Sequence, residues 1–274
     1  MLHYGTFSGG LVTRLHDGDA MNDFFKLGLF GAALCGFFGI ATAAPDSGTE
    51  TRTVDARVVR VKLDGMVELR VRQGDTPTLV LKGDPQWIEK TTTLQSGDTL
   101  NIGTEGRVRG SRLFPVHAEL TLPALREVTS ESLGTTEVTG FSGNELDLTL
   151  DGAGSMRVWC NYKTVTANLG GVGSMQLGGL NAELVDLHLS GAGFVILRGS
   201  GKALKADLGG LGSLDAQQFA AETVNLDLSG LGNATVTAHQ NANLSLSGMG
   251  SVTVYGKPPN RKSIVDGLGK VSWK

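Results

Sequence analysis

From residue 127 onward the apolar side chains keep a fixed relation to a recurring Gly-x-Gly motif. Its first glycine falls at Gly152, Gly171, Gly191, Gly210, Gly230, Gly248 and Gly267, with gaps of 19, 20, 19, 20, 18 and 19 residues. A degenerate copy, Ser132-Leu133-Gly134, precedes the first by 20. Counted from the second glycine (Gly154, Gly173, Gly193, Gly212, Gly232, Gly250, Gly269), the positions two and four later are Met156/Val158, Met175/Leu177, Val195/Leu197, Leu214/Ala216, Ala234/Val236, Val252/Val254 and Val271/Trp273. All are apolar, while the position between them is polar in every copy except Ile196. Period-two alternation of this kind is that of a strand with one face buried. Upstream of the motif, Leu150, Leu169, Leu189, Leu208, Leu228, Leu246 and Val265 stand four residues before the second glycine, with Leu148, Leu187, Leu226 and Leu244 two further back. Each repeat therefore carries two arms directed at one core.

Strand, glycine corner, strand and return, repeated about every 19 residues, predict an all-β chain: a single-stranded parallel β-helix, or solenoid, of about 19–20 residues per coil. Precedent for parallel crossovers makes it right-handed. The middle residue of the motif (Ala153, Val172, Ala192, Leu211, Leu231, Met249, Leu268) is apolar in every copy and is expected to point inward, with the glycines supplying positive φ around it. No segment has the i, i+3, i+4, i+7 pattern of a helix. Residues 54–126 are rich in strands without the motif and are expected to form irregular first coils capping residues 127–274, with a helical turn at Pro85–Ile88. Gly103–Ser111, with Arg107 and Arg109, reads as a loop.

Forty glycines in 274 residues belong to this architecture, and a net charge of −3 with 19% charged residues excludes a polybasic nucleic-acid binder. Residues 21–43 show Lys26, an apolar run from Leu27 to Ile40 and Ala41-Thr42-Ala43, the pattern of a cleaved signal peptide with Met21 as the true start. That run is shorter than the ~20 residues a membrane span needs, so the mature chain is expected to be exported, to the periplasm or the cell surface, without a span. Residues 44–53 read as a linker. Leu34 before Cys35 argues against lipidation. Cys160 then remains as the single thiol, continuing the inward row Met156, Val158; it reads as a small buried hydrophobe, the alternative being a reactive or intermolecular thiol.

Stacking in register would line up an outward row Thr149, Asn168, His188, Asp207, Asp227, Ser245, and of these His188, Asp207 and Asp227 are the candidate binding residues. Two acids and one histidine are too few for a metal cage, so no metal or other cofactor is expected. The serines at 155, 174, 213 and 251 read as turn residues satisfying local backbone groups. His117, His188 and His239 fall at unrelated phases of the repeat, leaving no serine a partner base. The polar rows look uniform, without an abrupt patch of acids and bases.

The succession VELRVRQGDTPTLVLKGDPQWIEK (67–90), GDTLNIG (97–103), AELTLPAL (118–125) and the G-x-G coils ending SVTVYGKPP (251–259) resembles the head GIN domain family, named for auto-transporter adhesins and of unknown function. The resemblance spans residues 54–274 and implies a β-helical fold and an exported location; the family carries no catalytic residues to transfer. An auto-transporter needs a C-terminal membrane β-barrel, whereas here Trp273-Lys274 follow the last coil directly, so self-translocation is not expected. The reading is an exported, non-enzymatic binding or structural protein of the envelope, adhesin-like, whose partner is a glycan, a surface polymer or a protein. Self-association through the coil around Trp273 is a further expectation. The alternative is a polysaccharide-active lyase or hydrolase on the same fold.

Overall fold

The computed structural model describes residues 48–104 and 116–274. The expected leader, Cys35 and the arginines at 107 and 109 lie outside the described residues. In chain order the elements are β1 (Gly48–Thr53), β2 (Arg60–Leu63), β3 (Val67–Gln73), β4 (Thr78–Gly83), α1 (Pro85–Glu89), β5 (Thr91–Ser96), β6 (Thr99–Thr104), β7 (Val116–Leu122), β8 (Glu127–Ser130), β9 (Thr135–Leu150), β10 (Ser155–Leu169), β11 (Val172–Leu189), β12 (Ala192–Leu208), β13 (Leu211–Leu228), β14 (Leu231–Leu246), β15 (Met249–Tyr255), β16 (Asn260–Val265) and β17 (Lys270–Trp273).

From β9 onward each strand pairs in parallel with the equivalent strand of the next turn, forming a parallel β-solenoid of about 7 turns. Both arms bury the rows expected of them, Met156, Met175, Val195 and Leu214 from one and Leu169, Leu189, Leu208 and Leu228 from the other, but in the last coil Val265 of the second row is 42% exposed. Strands β9 to β14 each run unbroken through the return corner and end at the G-x-G corner, whereas the next coil is broken there between β15 and β16. The register slips, between Trp159 and Thr164, Leu177 and Leu180, Ile196 and Arg198, Ala216 and Ala220, and Ala221 and Thr223, all lie on the return side. Repeats of 18 to 20 residues thus differ only there.

The glycine corner departs from expectation in two ways. Its middle residues point outward: Val172 is 61%, Leu211 58%, Leu231 44%, Met249 52% and Leu268 83% exposed. Nor does any corner glycine have positive φ; among the described residues the glycines that do are 65, 83, 97, 140, 179, 199 and 256. The need for glycine is steric. A Cβ at Gly173, Gly193, Gly212, Gly232 or Gly250 would overlap the carbonyl oxygen of the glycine one turn before. Only without side chains can coils approach closely enough to keep Leu211 N–H donating to Gly191 O (2.9 Å) and Leu231 N–H to Gly210 O (3.0 Å).

The N-terminal region is capped by an unexpected chain order. β2 and β3 pair in parallel with β8 and β9 on one side and with β6 and β7 on the other, so the coil formed first in sequence lies second in space. Antiparallel β4 and β5 then cover the edges of β7 and β6. β1 pairs with β4, so residues 48–53 are a sheet strand, not linker. Helix α1 forms where expected: Pro85 opens it, and the Asp84 carboxylate caps it by accepting from Gln86 N–H at 2.9 Å. The Arg52 guanidinium stitches β1 to this cap through Thr91 O (2.6 Å), Ile88 O (3.3 Å) and the Thr93 hydroxyl.

At the far end, Arg261 and Ser263 of β16 stand in register with inward Ala242 and Leu244. Trp273 packs partly buried against the core, with the Arg261 guanidinium 5.1 Å from its ring centre. The last coil closes the core with polar and aromatic groups.

Candidate functional site

The outward row on the second arm aligns as expected. Asn168, His188, Asp207, Asp227 and Ser245 are successive register partners, with Thr149 before them and Ile264 after. The neighbouring row is Thr166, Asp186, Lys205, Asn225, Asn243 and Lys262. Asn243 donates to Asn225 Oδ1 at 2.9 Å, and Asn260 to Asn241 Oδ1 at 2.9 Å, so side-chain amides ladder along the axis. Lys205, Asp207, Asn225, Asp227, Ser245 and Lys262 line a shallow depression of about 630 Å³. His188 does not join the two candidate aspartates: its Nε2 lies 3.1 Å from Asp186 Oδ1, and Lys205 Nζ approaches Asp186 at 3.0 Å. Among the described residues no three His, Cys, Asp or Glu side chains are placed to hold a metal ion.

Two serines of the expected turn row, Ser155 and Ser251, bond to the adjacent coil and not to the local backbone. Ser155 and Thr135 share a hydroxyl hydrogen bond of 3.1 Å and Ser251 donates to Asn233 Oδ1 at 2.7 Å, another coil-to-coil ladder.

Two features escape the repeat logic. One is a mixed-charge cluster on the N-terminal coils, built by β3, β4, β7, β9 and β10 around a depression of about 320 Å³. There His117 Nδ1 lies 3.0 Å from Glu68, Lys82 2.8 Å from Glu119, and Arg70 3.2 Å from Glu137. The Lys82 hydrogen bond holds the Glu119 carboxyl below the usual range. The expected uniformity of the polar rows fails here, because the insertion of β2–β3 between later coils brings together residues up to 89 positions apart, Glu68 and Arg157. No local signal in the sequence marks it.

The other is the G-x-G ridge. Ser190, Gly191, Gly209, Gly210, Ser229 and Gly230 floor a trough of about 580 Å³ beside the exposed side chains of Leu211, Leu231 and Met249. The apolar identity of the middle position was visible in the sequence; its direction was not.

Cys160 is buried, and burial pushes its thiol up to about 12. It is a packing residue. Burial also raises the Tyr162 phenol, which donates to Leu125 O at 2.7 Å. Because the folded thiol value lies above its ordinary 9.0, the contribution of the neutral form to stability is complete below about pH 9 and is lost as pH rises toward 12. In a Cys35→Ser chain, maleimide at neutral pH is expected to label Cys160 only after denaturation; native labelling at the unfolded rate would contradict this assignment.

Fold and surface together define a protein of the solenoid class, a regular stack of coils with repeated outer rows. The chain belongs to the family described as "Putative auto-transporter adhesin, head GIN domain", whose model matches residues 59–258. No curated protein matches it. Among solved structures it is similar to a putative adhesin from Parabacteroides merdae (18% identity, 83% of this chain and 96% of that one, TM-score 0.75). It is also similar to a putative adhesin from Bacteroides fragilis (17%, 84% and 98%, 0.66) and a putative lipid binding protein from Parabacteroides distasonis (18%, 81% and 96%, 0.68). These likenesses show the fold. No helix among the described residues is long and apolar enough to cross a membrane.

Proposed function

We propose that this protein is an exported, non-enzymatic binding module of the cell envelope, adhesin-like, that holds an extended glycan or surface polymer along its second-arm face. The observation that carries this reading is the in-register polar surface around Asp207, Asn225, Asp227 and Asn243, which repeats hydrogen-bonding groups at the coil spacing of ~4.8 Å. An elongated partner with its own repeat can meet such a face at several coils at once, adding weak contacts. The acids of the N-terminal cluster are paired with cations, which favours a structural or recognition role over proton transfer. Arg261 over Trp273 and Lys274 over Tyr255 place cations at the C-terminal edge, which disfavours strand pairing between copies.

A glycan-array and polysaccharide screen, with reducing and unsaturated ends monitored, tests the reading. Binding without cleavage is expected. Asp207→Asn with Asp227→Asn should weaken it about tenfold or more while leaving the melting temperature unchanged, since both side chains are exposed. Cleavage of any polymer would replace the binding module with the enzyme.

A further inference from the structure

We propose that the apolar ridge at the G-x-G corner seats the protein on the surface of a lipid bilayer. The ridge is a second surface, separate from the polar face. Five consecutive corners read GGVGS (170–174), SGAGF (190–194), GGLGS (209–213), SGLGN (229–233) and SGMGS (247–251), without one charged residue. Charges return only at the corners on either side, with Asp151, Asp266 and Lys270. Core packing does not explain leucine, valine and methionine at these positions, because their side chains stand in solvent.

The chemistry of the strip selects among partners. No middle position is aromatic or polar; the exposed Phe194 and the serines stand at the flanks, so the crest itself offers a sugar neither a stacking platform nor a hydrogen bond. A rigid protein partner would gain little from so narrow a strip. From Val172 to Met249 the ridge is about 19 Å long, and a strip about 10 Å wide along it presents on the order of 200 Å². A stable protein interface uses roughly 800 Å² on each partner. A second copy therefore buries too little there.

A bilayer has no such requirement, because fluid lipid adapts to a narrow apolar strip and to the trough beside it. Entry into the acyl region is tolerated only by backbone whose polar groups are already paired. The corner meets that condition: Val172 N–H donates to Gly152 O, Leu211 N–H to Gly191 O and Met249 N–H to Gly230 O, at 2.9–3.1 Å. Ser190, Ser229 and Ser247 border the ridge at the depth of the headgroups. With no charge on the strip, neutral phosphatidylcholine is sufficient and the interaction is insensitive to salt.

The test uses the full chain and phosphatidylcholine vesicles in a flotation assay. The triple variant Leu211→Ser, Leu231→Ser, Met249→Ser should lose vesicle binding by about tenfold or more, at unchanged melting temperature, because three exposed aliphatic groups leave the contact. In a Cys35→Ser chain, an environment-sensitive dye at Leu231→Cys should shift to the blue on vesicles, whereas the same dye at Glu222→Cys, beside the return corner, should not. Undiminished binding by the triple variant, or no shift at 231, overturns the proposal. A shift at 231 that appears with rising protein concentration in the absence of vesicles assigns the ridge to a second copy and overturns it equally.

Discussion

Gly212→Ala is expected to destabilise the protein by about 3 kcal/mol or more, lowering the melting temperature by roughly 6–12 °C. The added methyl would overlap the Gly193 carbonyl oxygen of the preceding turn, and that contact is backbone, which cannot rotate away. Relief requires the coils to part at the corner, which stretches the 2.9 Å bond from Leu211 N–H to Gly191 O. The control is Gly209→Ala, in the same corner: a Cβ there would meet only Ser229 Oγ, at an ordinary 3.6 Å. That variant should melt within about 2 °C of the parent. Equal melting of both variants would show that glycine is not required at 212 for close stacking.

Phe219→Ala should remove about 3–5 kcal/mol. The ring is fully buried at the return corner, in register above Gly199, and occupies space that Gly201 leaves open. A Cβ at Gly201 would stand 2.7 Å from the ring carbon Cζ. The two positions are therefore coupled. Gly201→Ala should be harmful in the parent and much less so beside Phe219→Ala, so the double variant is expected to be more stable than the sum of the single losses predicts. Chemical denaturation of the four proteins measures this coupling; simple additivity would mean that ring and glycine do not share the space.

The arms were legible because burial imposes period two, and every row from Met156 to Val254 obeys it. The helical turn was legible for a local reason, since Asp84-Pro85 carries its own start signal. The corner misled because apolar character is normally a sign of burial: Leu211 and Leu231 have the composition of core residues at positions where the backbone turns their side chains out. Their neighbours were misleading for a related reason. Glycine usually marks unusual φ, but Gly193 and Gly212 are required by contacts 20 and 19 residues away, which local sequence does not display. The same distance problem hid β1, whose GTETRT carries no apolar alternation and is held by pairing with β4. It also hid the charged cluster, whose members meet only because β2–β3 lies between later coils. For the candidate row, pattern sufficed to align Asp207 with Asp227 but not to foresee that His188 turns to Asp186.

The two corners of each coil tolerate change differently. Inserting or deleting a residue at the return side lets one turn bulge or tighten while its neighbours keep their places, as the slips after Trp159, Leu177 and Ala216 already do. The same change at the glycine side would push one turn off the axis and displace every turn after it. The return edge of the rod can thus vary in length from turn to turn, while the glycine edge is held to a straight line.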